Sequence, residues 1–181
     1  FLPDSEIFEE FSLGFDYNVL LSRLREQSFL NAGIKIIFRD ERCGAAGGKS
    51  EEIIENVLHY EGGIKSFVSY LNSVKTCHLL HDDVIYMKAV RDYTTAEVAI
   101  QYNDTYNETV MTFANNINTV EGGMHETGFK TALTKVVNAY ARKTGQLKDA
   151  DKNLSGEDCR EGICAVVSVK LQDAQFEGQT K

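Results

Sequence analysis

The sequence contains no tryptophan, a single proline, and no apolar stretch near the roughly 18 residues that a membrane helix needs, because charges interrupt every hydrophobic run. No membrane span is expected. Basic charge is also in short supply: 19 Lys and Arg face 27 Asp and Glu, a net charge of −8. Backbone-directed nucleic-acid binding draws on clustered cations, so this balance argues against a module that grips nucleic acid by itself. The four cysteines, Cys43, Cys77, Cys159 and Cys164, form no Cys-x-x-Cys pair. With no mark of secretion, they are expected as reduced thiols in a cytoplasmic protein. The opening Phe1-Leu2-Pro3-Asp4 has neither a basic n-region nor a long apolar core, so it reads as a cut within a longer protein rather than as a signal peptide.

Signatures of self-contained catalysis are missing too. No nucleophilic triad or paired-carboxylate site stands out, and Gly48-Lys49-Ser50 fails as a P-loop because the earlier glycine it requires is Cys43. Cys77, His78 and His81 are closely spaced but lack a fourth ligand, so they are read as surface residues and no metal site is expected.

What is present is an ordinary globular composition, 43% apolar and 25% charged, over 181 residues, enough for one domain with a proper core. Leu20, Leu21, Leu24 and Phe29 fall at near-helical spacing over 16–31, with Asp16 as N-cap and Gly33 as stop. A strand is expected at 34–39, a surface loop at 43–50 and a strand at 57–60. Beyond Gly62-Gly63, the residues Ile64, Phe67, Val68 and Leu71 lay an apolar stripe along a short helix. Strands follow at 84–90, 96–102 and 109–115, expected as an antiparallel meander with one wet face. The clearest helix covers 126–143, with Phe129, Leu133, Val136, Val137 and Tyr140 assigned to its apolar face. A short helical piece is expected within 151–161. The nearly continuous β-branched run at 163–169 reads as a strand covered on both faces. The class is α+β, a two-layer α/β sandwich with helices on one face of a sheet.

Charge is unevenly spread. Acidic residues such as Glu9, Glu10, Asp16, Glu51, Glu52 and Glu55 crowd the first third, whereas 130–148 contributes Lys130, Lys135, Arg142, Lys143 and Lys148 against no acid. Such a face is either simply solvated or a nucleic-acid contact.

Two stretches carry most of the information. The first is the run from Asn115-Asn116-Ile117-Asn118-Thr119 through Val120-Glu121-Gly122-Gly123-Met124 to His125-Glu126-Thr127-Gly128-Phe129. Its paired glycines suit a turn with close backbone approach, and Glu126 or Thr127 could serve the start of the following helix. His125 is read as a packed turn residue. The second stretch is Gln175-Phe176-Glu177-Gly178-Gln179-Thr180-Lys181. Further blocks are Arg23-Leu24-Arg25-Glu26, Phe29-Leu30-Asn31, Tyr60-Glu61-Gly62-Gly63-Ile64 and Leu154-Ser155-Gly156-Glu157-Asp158-Cys159-Arg160-Glu161-Gly162, with Arg160 and Glu161 able to pair.

Together these blocks resemble the transducer domain of the ATPase subunits of bacterial type IIA DNA topoisomerases, gyrase B and its topoisomerase IV counterpart. Met124 departs from the family's usual Thr, so any hydroxyl contact there is lost. The resemblance implies that 1–181 is the transducer, the second domain of the ATPase region, cut off from its nucleotide-binding (GHKL) domain. It implies a fold like domain 2 of a small-subunit ribosomal protein, with a left-handed β-α-β crossover. Gln179 and Lys181 would hold the ATP γ-phosphate, with Lys181 also acting in catalysis. Lys130, Lys135, Arg142 and Lys143 become candidates for facing DNA. ATP and Mg2+ would be cofactors of the intact subunit, with none expected in this segment, which could not turn over ATP alone. Implied partners are the subunit's own ATP-binding domain, a second gyrase B copy in an ATP-dependent dimer, the gyrase A subunit and double-stranded DNA. Within the family gyrase is preferred over topoisomerase IV. The alternatives are a freestanding nucleic-acid-binding domain of the same fold, and another ATPase of the superfamily such as a mismatch-repair protein or a heat-shock chaperone.

Overall fold

The structure is a computed structural model that describes residues 4, 7, 15–41 and 53–176. The expected loop at 43–50 and the terminal Gln179 and Lys181 lie outside these residues. Where the sequence suggests one domain, the chain divides into two compact units, 1–61 and 62–181.

The first unit is a helix on a hairpin: α1 (Tyr17–Leu30), then antiparallel β1 (Lys35–Asp40) and β2 (Ile54–His59). Asp16 caps α1 as expected, accepting a hydrogen bond from Val19 N–H at 2.9 Å. The helix stops at Leu30, where the Asn31 side chain donates to the Gln27 carbonyl. Tyr17 stacks on Phe38, and Phe29 on Tyr60, so aromatic contacts hold helix to hairpin. The strands begin one and three residues away from their expected starts.

The second unit carries the larger core. Helix α2 (Ile64–Ser73) leads into β3 (Ile85–Arg91), β4 (Thr94–Tyr102), β5 (Thr109–Ala114) and the two-residue β6 (Ile117–Asn118). Helix α3 (Met124–Lys143), the short α4 (Gly156–Arg160) and β7 (Ile163–Lys170) follow. The sheet order is β3-β4-β7-β5-β6, so the expected simple meander is interrupted. The last strand inserts between β4 and β5, antiparallel to one and parallel to the other. The seven residues of β7 from Ile163 to Val169 are all buried, the two-sided cover that their unbroken apolar run implies.

Register assigns the faces. Ile100, Ile163 and Ala165 meet Phe129 and Leu133 of α3 on one side of the sheet. On the alternate residues, Phe67 of α2 meets Phe113 at 6.0 Å and Asn72 of α2 bonds Gln101, so α2 covers the opposite side. The α+β class and a β5-α3-β7 crossover with parallel strands are as expected, with α2 as an additional layer.

Burial also corrects the expected apolar face of α3. Phe129 and Leu133 pack inward, but Val136 and Tyr140 are 65% and 66% exposed. Counting 100° per residue, both lie within about 20° of Phe129, so they continue the stripe of Phe129 and Leu133 along the helix and are exposed in its second half, beyond the residues that pack on the core.

Candidate functional site

The segment from Asn115 to His125 is built on hydrogen bonds, and Phe129 beyond it anchors in the apolar core. Asn115 and Asn116 both have positive φ, 48° and 65°, the pairing that closes a tight hairpin between β5 and β6. Asn115 has a second role: its side chain accepts from Leu171 N–H at 2.7 Å and donates to the Leu171 carbonyl at 2.9 Å. Its amide thus extends the ladder of β7 past the end of β5, fixing the strand where the chain leaves the sheet toward Gln175 and Phe176.

Thr119 organises the next turn. Its N–H and hydroxyl both donate to the Thr112 carbonyl at 2.9 Å, and its hydroxyl lies 2.9 Å from His125 Nε2. Burial holds His125 below the ordinary imidazole range, against a smaller upward pull from Glu126. His125 is therefore a turn-packing residue, as read from sequence. Gly122 has φ 81°, and a Cβ on Gly123 would come within 2.8 Å of the His125 ring. No side chain caps α3: the Thr127 N–H reaches the Gly123 carbonyl, and Glu126 turns to Lys130 instead. Met124 is 92% exposed.

The four DNA-facing candidates do not form one patch. At about 100° per residue, Lys135 and Lys143 lie about 80° apart on one side of α3, with Lys130 about 140° from each. Lys130 Nζ is shared by Glu108 at 2.8 Å and Glu126 at 2.7 Å, and the second oxygen of Glu108 accepts from Arg160 Nε at 2.8 Å. Arg160 thus pairs with Glu108 where Glu161 was the expected partner. Hydrogen bonds first to Glu108 and then to Glu126 raise the Lys130 ammonium above its ordinary range. Burial pulls the Glu108 carboxyl up, but hydrogen bonds from Lys130 and Arg160 outweigh it and hold the group below the usual carboxylate range.

Arg142 is a loop clamp. Its guanidinium donates to the carbonyls of Lys148 and Asp151 and to Asn153 Oδ1, tying down the turn after α3. Lys135 and Lys143 remain exposed, Lys135 beside an open groove of about 640 Å3 lined by Met124, Gly128 and Ala132.

The block at 154–162 is joined to α3 through buried Asn138, whose side chain accepts from Leu154 N–H and donates to its carbonyl. Ser155 and Asp158 form a reciprocal capping box that starts α4.

A polar chain that the sequence did not signal runs under α2. Asn103 donates to Asn72, Asn72 to Gln101, and Gln101 to the carbonyls of His81 and Asp82. Asn72, Gln101 and Asn103 are all buried, and each finds partners, as buried amides must. His81 itself accepts from Tyr102 N–H through Nε2 at 3.0 Å, and Cys77 Sγ faces the Asn72 carbonyl. Among the described residues no cluster of three His, Cys, Asp or Glu could hold a metal, and no helix is long and apolar enough to cross a membrane.

The family model described as DNA gyrase B matches residues 63–181, beginning where the second compact unit begins. The DNA gyrase B protein of Clostridium acetobutylicum is 56% identical over the whole chain, which covers 26% of that relative. The chain thus spans about a quarter of the length of that curated relative. Among solved structures, the 43K ATPase domain of Thermus thermophilus gyrase B, crystallised with an aminocoumarin, superposes with a TM-score of 0.79 at 36% identity. That match covers 97% of this chain and 44% of the other. The ATP-binding domain of Francisella tularensis topoisomerase IV gives a TM-score of 0.68 over 92% of this chain and 41% of that one, but its 19% identity speaks only to fold. With a gyrase B family model matching 63–181 and a gyrase B relative aligned along the whole chain, the chain belongs to the DNA gyrase B family.

Proposed function

We propose that this segment acts as the transducer of a gyrase B protein, with the role centred on 62–181, coupling ATP binding and hydrolysis in the adjoining nucleotide-binding domain to DNA strand passage and supercoiling. The observation that carries this reading is the family match, which begins at the boundary of the second unit and extends through Gln179, Thr180 and Lys181. The donor set fits the assignment: a carboxamide N–H2 and an ammonium supply hydrogen-bond donors suited to a γ-phosphate. ATP, with Mg2+, supplies the phosphoryl-transfer chemistry in the intact subunit; Gln179 and Lys181 hold the terminal phosphate from outside the nucleotide domain.

Magnitudes constrain the scheme. A charge-assisted hydrogen bond is worth about 1.5 to 3 kcal/mol, so Lys181 alone biases a domain equilibrium about 10- to 100-fold. A switch from 1:99 to 99:1 needs about 5.5 kcal/mol. Gln179 and closure of an ATP-dependent dimer with a second gyrase B copy must supply the remainder. Loss of the terminal phosphate releases the tie, and the rigid α/β body then rotates as a lever. In this reading the intact protein is cytoplasmic and works with gyrase A as an ATP-hydrolysing type II DNA topoisomerase. Lys135 and Lys143 face the passing duplex, and Lys130 does so after exchanging its partners. The isolated segment is inactive.

In the intact subunit, Lys181→Ala is expected to cut ATP turnover at least tenfold, with Gln179→Ala weaker in the same direction. Thermal midpoints equal to the parent's exclude misfolding as the cause. Near-normal turnover by the Lys181 variant would sink the assignment.

A further inference from the structure

We propose that Glu108 is an internal stand-in for a DNA phosphate, holding the anion position between Lys130 and Arg160 until a phosphodiester of the passing duplex takes it. The inference rests on the DNA-facing reading of this unit and adds the device that keeps two of its cations masked. Glu108 presents one oxygen to each cation at 2.8 Å, the bridging arrangement a phosphate would adopt between an ammonium and a guanidinium. It sits on the connection between β4 and β5, outside any helix or strand, whereas both cations are anchored on helices.

The pocket for the guanidinium is built. A Cβ on Gly156 would lie 2.6 Å from Arg160 Nη1 and 3.4 Å from Thr134 Oγ1, so the glycine leaves the space the arginine occupies. The side chains of Arg160 and Lys130 are 15% and 29% exposed, within reach of a ligand at the surface yet partly shielded from water. Charge arithmetic completes the case. Glu108 and Glu126 balance Lys130 and Arg160 at zero; displacing Glu108 leaves one net positive charge for an incoming phosphate. The overall acidity of the chain then does not exclude a cationic contact: the contact is conditional.

The test is duplex DNA binding by the intact subunit, followed by fluorescence anisotropy across a salt series. Glu108→Gln is expected to raise affinity and to steepen the plot of log affinity against log salt by up to about 0.9, because the parental carboxylate, once displaced, takes up a counterion that offsets the one the phosphate releases. Glu157→Gln, which removes the same charge from an exposed position on α4, raises affinity without steepening the plot. Arg160→Gln added to Glu108→Gln returns the parental slope. If Gln at 108 does not fold, as judged by thermal midpoint, Glu108→Ser gives the same readout. An unchanged slope in the folded Glu108 variant, or equal steepening in Glu157→Gln, overturns the proposal. If Lys135→Ala and Lys143→Ala flatten the slope while the Glu108 variant leaves it unmoved, only the stand-in role falls. If none of these variants alters binding, the DNA-facing reading falls as well.

Discussion

Cys164 shows how completely position overrides residue type. It is fully buried on the α2 side of β7, and burial pushes its thiol up to about 11, with Lys75 pulling weakly the other way. Cys159, also buried, is raised by the same cause, whereas Cys77 is half-buried. The thiolate is the reactive form, so at pH 8 an aromatic disulfide reagent should modify Cys77 in the native protein. Cys159 and Cys164 should react only on unfolding; a Cys43→Ser background keeps the count clean. Rapid native labelling of Cys164 would contradict its placement. The same shift has a stability consequence. Between about pH 9 and 11 the unfolded thiol has lost its proton while the folded one retains it, so the native state binds more protons and stability falls as pH rises. Urea midpoints across that interval, compared with Cys164→Ala, check the sign. Arg142 teaches a related lesson: from the sequence it is one cation in a basic run, but its donors are spent on two carbonyls and an asparagine.

Among the elements, the turn into α3 is the most sequence-dependent, and Gly123 its least replaceable residue. An alanine methyl there would meet the His125 ring at 2.8 and 2.9 Å, forcing the ring from its contact with Thr119. Gly123→Ala should therefore cost about 1 to 3 kcal/mol, the usual scale of overpacking. In a double-mutant cycle with His125→Ala the two costs should fall short of additive by more than about 0.5 kcal/mol. Full additivity, measured by urea denaturation, would mean the ring and the glycine do not interact. The sequence announced this turn through its paired glycines, and it announced β7 through an unbroken β-branched run, because each signal depends only on local backbone needs. It did not announce the insertion of β7 between β4 and β5, since strand order is decided by which edge is left unpaired after α3. Nor could periodicity separate Val136 and Tyr140 from Phe129 and Leu133, because all four share one helical stripe and the difference in burial comes from how far along α3 the core extends. The Asn115 clamp on Leu171 was equally silent: the motif was visible, but the partner lies 56 residues away.

At the scale of the whole molecule, the candidate site stands in the sequence as a family pattern, and the architecture was legible only as a class. Lys130 was recognisable as part of a basic stretch, but its neutralising partner Glu108 belongs to a distant loop, and no one-dimensional charge count pairs them. The division into two units was hidden for a similar reason, because Glu61-Gly62-Gly63 reads as an ordinary turn rather than a linker. The two units differ sharply in what supports them. Among the described residues the first rests on one helix and a two-stranded sheet, and an isolated two-stranded ladder is marginal in water. The second has a five-stranded sheet with helices on both faces and a central strand buried from Ile163 to Val169. A fragment of residues 62–181 should accordingly unfold in a single cooperative urea transition and give dispersed amide resonances. Residues 1–61 expressed alone should show neither. Cooperative unfolding of the isolated 1–61 fragment would show that its helix and hairpin suffice for a stable core. Loss of structure in 62–181 alone would mean that the larger sheet depends on the unit that precedes it. Either result decides whether the proposed lever role can be assigned to 62–181 as an autonomous body, because a segment that transmits rotation must hold its shape when the tie proposed for Lys181 is released.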